Sequence, residues 1–295
     1  MLDNEQRQLR VINLGTQYEV YMLPAGKRTP GVPVRKLAGG RYVNTDTGEI
    51  TDATKHTRAT ELSSIHKTVT KIRHLIDLNF DGSTNEVVLC LTYEGNTDRI
   101  LTPPDAVNSR EQLTANEQAK TACMNDIWRF MNKLRYHFQD TGHQLKYIWV
   151  IQPHASGQIH FHVLIKRLNS TAFTPNLADL QRLWGHGETG VEIEQVQDIR
   201  KLGAYISAGM LNDTPDPNDP DKLTHYERLK YYPANMKIYS TSRNLTRPQP
   251  VTMTVKQLAA KGLDLNTPDW VSTRTNTDTA GNEHPHHHLF YDKPA

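Results

Sequence analysis

Two β-favouring runs, Lys146-Tyr147-Ile148-Trp149-Val150-Ile151-Gln152 and Gln158-Ile159-His160-Phe161-His162-Val163-Leu164-Ile165, lie five residues apart in the 295-residue chain. The residues between them include Pro153 and Ala155-Ser156-Gly157, which favour a turn, so a hairpin is expected. A third run, Glu86 to Tyr93, is continuously apolar enough for a buried strand, and Val191 to Val196 alternates as a strand does. Helical spacing falls around these runs. Thr60-Glu61 opens a helix whose apolar stripe is Leu62, Ile65, Val69, Ile72, Leu75 and Ile76. Its other face carries Lys67, Lys71 and Arg73, either a solvated face or a phosphate-contacting one. Thr114 begins a second helix reaching about Phe138. Thr174-Pro175 starts a third that ends at Trp184-Gly185, and Asp198 can cap a fourth through Ile199, Leu202, Tyr205 and Ile206. The order strand–helix–strand–strand–helix–strand–helix predicts an α+β fold, an antiparallel β-sheet flanked by helices, and not a doubly wound parallel sheet.

Composition narrows the function. With 37% hydrophobic and 22% charged residues, the chain is polar but has enough apolar surface to fold. No stretch approaches the ~20 apolar residues that span a bilayer. Residues Met1 to Val20 carry charges throughout and hold no apolar signal core, so no membrane partner and a cytoplasmic location are expected. Cys90 and Cys123 are too few for a disulfide scaffold and are expected as small buried groups. The net charge of +2, from 34 basic and 32 acidic residues, argues against a simple polycationic nucleic-acid binder. That average conceals Lys222 to Arg247, with six basic residues against one acidic, interleaved with Tyr226, Tyr231, Tyr232 and Tyr239. Phosphate neutralisation with aromatic stacking is how single strands are gripped, which makes Lys230, Lys237 and Arg243 candidate DNA contacts; a plain basic surface is the alternative.

The chain has 14 histidines, and one pair stands out by its setting. His160 and His162 are two residues apart on an expected strand, so both point to one face and Phe161 to the other. That suits two ligands of one metal ion. The spacing alone also suits two ordinary sheet histidines, and the tail repeats it at His284/His286 and His286/His288, where a disordered polar tail is the simpler reading. Three features favour a metal. The flanks Ile159 and Val163-Leu164-Ile165 are apolar, so the imidazoles project from a buried strand and need partners. Gln152 ends the preceding strand, where the hairpin can return it to the same site. Its amide oxygen is a neutral hard donor suited to Mg²⁺ or Mn²⁺, with His154 an alternative third ligand. Tyr205, within Leu202-Gly203-Ala204-Tyr205-Ile206-Ser207-Ala208-Gly209, has small neighbours that leave space beside its ring. His186, between Gly185 and Gly187, reads as a loop histidine, and these glycines do not follow a phosphate-binding pattern.

Thr92 at the end of an apolar strand, then His160-Phe161-His162, then Tyr205 on a following helix resembles the three ordered motifs of the HUH endonucleases. The likeness is to the rolling-circle replication initiators of plasmids, phages and small circular-DNA viruses, and it covers roughly Asn85 to Leu211. The resemblance implies an RRM- or ferredoxin-like core. It implies that Leu91-Thr92-Tyr93 lies near bound DNA, that His160 and His162 hold a divalent metal with Gln152 as third ligand, and that Tyr205 is the nucleophile. Family members usually have a carboxylate where Gln152 stands, and a lysine three residues after the tyrosine, where this chain has Ala208; Arg200 or Lys201 would take over that lysine's role. The neutral Gln152 would bind metal more weakly and leave it polarising phosphate more strongly.

The implied activity is metal-dependent nicking and joining of single-stranded DNA at a replication origin hairpin, through a 5′-phosphotyrosine. A second strand transfer would use another protomer of a homo-oligomer, or another tyrosine such as Tyr226, Tyr231 or Tyr232. The chain has no ATP-binding loop, so a host helicase would unwind the duplex. The organisation expected is an N-terminal extension with a hairpin and helix at 1–80, a catalytic domain at 81–212, a basic and aromatic DNA-contact segment at 213–250 and a polar tail at 251–295. Relaxases and single-tyrosine transposases share this chemistry and are the nearest alternatives. A sequence-specific DNA-binding protein that keeps the fold with altered activity is another. A histidine-dependent nucleotidyl hydrolase would want a histidine at position 164, which is Leu164.

Overall fold

The computed structural model describes residues 7–22, 34–38, 41–52, 62–95, 97–103, 106–107, 109–139, 144–195, 224, 227–232, 236–277 and 283–293. The chain divides into two compact units, one formed by residues 1–55 and 248–295 and the other by residues 56–247. This differs from the expected boundaries at 80, 212 and 250. The first helix falls in the same unit as the sheet that carries the histidines, and both chain ends contribute to the other unit.

In the first unit, β1 (Gln8–Asn13) and β2 (Gln17–Met22) form a hairpin, and β11 (Val251–Thr254), β12 (Trp270–Thr277) and β13 (Glu283–Asp292) complete an antiparallel sheet in the order β11-β1-β2-β13-β12. Helix α4 (Val255–Ala259) follows β11 and starts on a capping box in which Thr254 and Gln257 satisfy each other's backbone amides. Leu9, Val11, Val20, Met22, Met253, Leu258, Leu289 and Tyr291 form its core. The segment 251–295 is therefore folded sheet and not a loose polar tail. Its strands are rich in Thr, Ser and Val, which suit a pleated half-exposed surface despite low overall hydrophobicity. His288 stacks on Tyr21 at 3.9 Å and lies 3.2 Å from the buried Glu19 carboxylate. A small second sheet joins β3 (Val34–Lys36), β4 (Arg41–Asn44) and β5 (Ile50–Asp52). The β4–β5 turn is the expected one, with Asn44 Oδ1 accepting from the amides of Asp46 and Thr47 and Gly48 at φ +71°.

The second unit is the expected α+β arrangement. Strands β6 (Glu86–Leu91), β7 (Leu145–Pro153), β8 (Ile159–Arg167), β9 (Val191–Gln195) and β10 (Tyr239–Thr241) form a sheet in the order β10-β7-β8-β6-β9, with every neighbour antiparallel. Helix α1 (Leu62–Asn79) lies on the face that carries Lys146, whose ammonium donates to Asn79 Oδ1 at 3.1 Å. Helices α2 (Arg110–Gln139) and α3 (Leu177–Trp184) take the opposite face, where Trp184 packs edge-on against both Phe130 and Phe161. Helix α3 begins three residues later than Thr174: Asn176 caps it by accepting from the Asp179 amide, and Gly185 at φ +72° ends it. The expected fourth helix from Asp198 lies outside the described residues.

Residues 224–247 also belong to this unit. Leu229, Tyr231, Tyr232, Met236, Ile238 and Leu245 are buried in its core and β10 forms its sheet edge, so the basic stretch is integral to the unit rather than a separate segment. Cys123 is buried as expected, whereas Cys90 is only half-buried.

Phe161 has no exposed surface and touches the rings of Tyr93, Trp149 and Trp184. Phe161→Ala is expected to destabilise the protein by about 3–5 kcal/mol, read as a lower urea midpoint, because the aromatic cluster cannot collapse into the space left.

Candidate functional site

The β7–β8 hairpin pairs Gln152 directly with His160 and Val150 with His162. Directly opposed residues in an antiparallel pair share a face, as do residues two apart on one strand. Gln152, His160 and His162 therefore converge on one face at one end of the sheet. They are 8%, 6% and 6% exposed. The two imidazole centroids are 5.0 Å apart with ring planes at 80°. The β6–β8 register sets Cys90 opposite His162 and, carried one residue further, Thr92 opposite His160. The first and second sequence motifs thus adjoin through strand pairing, although 68 positions separate Thr92 from His160.

His154 lies in the hairpin loop and stacks on His160, with centroids 4.0 Å apart. Burial, with the positive Arg228 as a lesser cause, holds its pKa below the ordinary imidazole range. A neutral imidazole there keeps positive charge away from the pair. Among the described residues no group of three or more His, Cys, Asp or Glu side chains is gathered closely enough to hold a metal ion. The only carboxylate that strand pairing puts in the row of His162 is the exposed Glu192, two strands away at about 10 Å. The donor set is therefore two imidazoles and one amide oxygen, all neutral. Imidazole with oxygen donors fits a first-row divalent ion such as Mn²⁺ better than a thiolate-loving one.

The loop that turns the hairpin is closely built. Gly157 adopts φ +83°, its amide donates to the His154 carbonyl, and its own carbonyl accepts from Leu101. A Cβ at position 157 would collide with that Leu101 carbonyl and press on the Tyr231 ring. Tyr231 donates its hydroxyl to Ala155 O at 2.6 Å, and Tyr232 donates to Ile151 O at 2.7 Å, beside Gln152. Both tyrosines are buried. Their hydroxyls buttress the hairpin and do not serve as further nucleophiles.

Thr92 and Tyr93 are held from several sides. Thr92 N donates to Gly190 O and Thr92 O accepts from Trp184 Nε1 at 2.7 Å; Tyr93 O accepts from Gln158 Nε2 at 2.7 Å. Thr92 is half-buried beside His160. Tyr93 corrects the expectation of a DNA contact through its side chain, since its ring is 3% exposed and packs toward α2 and Trp184. Its hydroxyl donates to Asp126 Oδ2 at 3.3 Å, where Arg99 Nε also donates at 2.9 Å, and His186 Nε2 lies 3.5 Å from Asp126 Oδ1. Burial drives the Tyr93 phenol far above its usual range, and the thiol of Cys123 beside it is pushed up to about 12. Neither group is a nucleophile at neutral pH. Sequence reading missed Asp126, Arg99, Gln158 and Trp184. Each meets the Thr92-Tyr93 strap from 6 to 92 positions away, and no local pattern marks such partners.

Lys237 and Arg243 are exposed, and Lys230 sits in a short 3₁₀ turn (Glu227–Tyr231) with its ammonium 5.8 Å from the Tyr231 ring centroid. Tyr205, Arg200 and Lys201 lie outside the described residues, as does Tyr226.

Residues 86–214 match the family model of the replication-associated proteins of the ORF2 and gene-2-protein type. The matched region starts at the first residue of β6 and contains Thr92, Tyr93, Gln152, His160, His162, Arg200, Lys201 and Tyr205. A replication-associated family thus accounts for the part of the chain that carries the paired histidines. No curated protein and no solved structure matches the chain. No helix among the described residues is long and apolar enough to cross a membrane.

Two outcomes are expected of this scaffold. Gly157→Ala should lower stability by about 1–3 kcal/mol in a urea titration, since it forces a left-handed conformation on alanine and a backbone collision as well. His186 gives a pH signature. Burial lowers its pKa more than Asp126 raises it. The unfolded chain, with imidazole near ~6.5, takes up the proton first as pH falls. Stability is then complete above that value and declines as pH drops through it. His186→Asn should lose less stability than wild type between about pH 7.5 and 5.5, measured by urea unfolding at each pH.

Proposed function

We propose that the second unit is a nicking and joining centre for single-stranded DNA at a replication origin, of the HUH rolling-circle initiator kind. The observation that carries this reading is the convergence of His160, His162 and Gln152 on one sheet face, next to Thr92, inside the region that matches a replication-associated family. His160, His162 and Gln152 would hold one divalent ion, Mg²⁺ or Mn²⁺, which when bound supplies Lewis acidity toward a phosphate oxygen. The near-closed setting of the three side chains limits water at the site and strengthens their interaction with charge.

Tyr205 is the proposed nucleophile. Its phenol oxygen forms a bond to phosphorus as the bond from phosphorus to the 3′ oxygen breaks. The phenol gives up its proton, and the departing 3′ oxygen takes one to become a hydroxyl. The product is a 5′-phosphotyrosine, and attack by the 3′-hydroxyl reverses the step without ATP. Thr92 lines the same corner as His160, where it can donate a hydrogen bond to the strand. Arg200 and Lys201 precede Tyr205 closely in sequence and supply positive charge that Ala208 does not. Lys237 and Arg243 would track the backbone, and a host helicase would open the duplex.

Incubation with single-stranded origin DNA and Mn²⁺, followed by a denaturing gel, should give a covalent protein–DNA adduct that is absent from Tyr205→Phe. His160→Ala and His162→Ala should each lower adduct yield by at least ~10²-fold, the scale lost when a charge-stabilising group is removed, while circular dichroism stays native. Adduct formation undiminished in EDTA would reject the metal, and an adduct that persists in Tyr205→Phe would reject the nucleophile. DNA binding without any adduct would favour the altered-activity reading.

A further inference from the structure

Strand β10 forms one edge of the histidine-bearing sheet, so half of its backbone groups have no strand partner. Ile151 N donates to Ile238 O and Ser242 N to Tyr147 O, which places the alternate amides of Tyr239 and Thr241 facing away from β7. Along this edge runs a groove of about 270 Å³ whose far wall is α1. Lys71 and Thr68, one helical turn apart on α1, line it together with Lys237, Tyr239, Ser240, Thr241 and Arg247.

The chemistry of this lining is one-sided. Three cations and four hydroxyl groups surround it, and no carboxylate does. Among the described residues no carboxylate pairs with Lys71, Lys237 or Arg247; the Lys237 ammonium instead donates to Ser240 Oγ at 3.0 Å, on the groove wall. Cations gathered without counter-charge repel one another, and an anion relieves that repulsion. Hydroxyls and outward amides add directional donors suited to phosphate oxygens.

Position singles out a DNA phosphate. Tyr239 pairs with Val150, and Val150 with His162, so all three lie in one row across the same sheet face. Two strand spacings separate Tyr239 from His162, about 10 Å. That is roughly three nucleotides at the ~3.4 Å rise of a stacked strand. We propose that the groove between α1 and β10 binds a backbone phosphodiester of the DNA a few nucleotides from the scissile phosphate, with Lys71 and Arg247 joining Lys237 as its ligands. This rests on the reading of the unit as a DNA-nicking centre. It makes α1 part of the DNA-binding surface rather than an extension outside it, and it gives the enzyme a second grip that fixes the strand's direction relative to the histidines.

The test is equilibrium binding of a fluorescent single-stranded oligonucleotide to full-length Tyr205→Phe protein in metal-free buffer across a salt series, which separates binding from nicking. Lys71→Gln and Arg247→Gln should each weaken binding by about three- to tenfold at low salt and flatten the log–log salt slope by roughly 0.7, the value for one phosphate contact on a single strand. Arg129→Gln, an exposed arginine on α2, should leave both unchanged. Groove variants that bind like their parent would overturn the proposal, and so would a parent that does not bind DNA at all. A second arm titrates inorganic phosphate against thermal unfolding. Saturable stabilisation lost in Lys71→Gln, with DNA binding unaltered, would make this a free-anion site and also overturn the proposal. If the groove variants weaken binding but wild-type protein forms no adduct with metal, the nicking reading fails and the groove stands.

Discussion

The register between β7 and β8 is the constraint on which the site depends. Side chains along a strand alternate strictly between faces, so a slip of one residue would put Phe161 where the imidazoles are and bury both imidazoles among aromatic rings. Phe161 prevents this from one side by inserting among Tyr93, Trp149 and Trp184. The Gly157 turn prevents it from the other, because its left-handed backbone and its contact with the Leu101 carbonyl admit one loop geometry. With the register set, the pairing of Gln152 with His160 follows, and Thr92 follows through β6. A functional cluster is then assembled by backbone hydrogen bonds, with the side chains determining only which face is wet.

The two faces of the sheet consequently do different work. The aromatic face supports α2 and α3 and carries the polar knot of Tyr93, Arg99, Asp126 and His186. A buried knot of this kind costs desolvation, and it is tolerated because its members satisfy one another. Its structural role is to hold the strap from Thr92 to Glu94 beside the histidines. The other face is covered by α1 over part of its area and presents the imidazoles, Gln152 and Thr92 at one end. Leu91-Thr92-Tyr93 straddles the divide. Thr92 belongs to the candidate site, and Tyr93 anchors it from behind.

The other unit shows where polar composition misleads. Residues 270–292 look like tail because they are rich in Thr, Asn and His, yet a half-exposed antiparallel sheet needs only alternate positions apolar. Leu289 and Tyr291 provide these, and Glu19, Tyr21 and His288 satisfy one another between strands. Hydrophobic periodicity that belongs to strands joined from opposite chain ends cannot be read in any local window. The same limit explains the basic stretch at 222–247. Its tyrosines suggest base stacking, but Tyr231 and Tyr232 direct their hydroxyls to carbonyls of the β7–β8 hairpin more than 75 positions away.

Everything carried by local pattern is legible in the linear chain. The strand and helix runs, the hairpin at Pro153 to Gly157, the shared face of His160 and His162, and the neutral amide of Gln152 all rest on periods of 2 or 3.6 residues and on turn chemistry. Which of these meet is settled in three dimensions. Pairing of β6 with β8 brings Thr92 beside His160, while packing removes Tyr93 from the surface and turns Tyr231 and Tyr232 into supports. The fold also sets Lys71 of α1 against Lys237 and Arg247, and joins the two chain ends in one sheet. Non-local strand pairing is selected by burial of whole faces at once, a quantity that no short stretch of sequence contains.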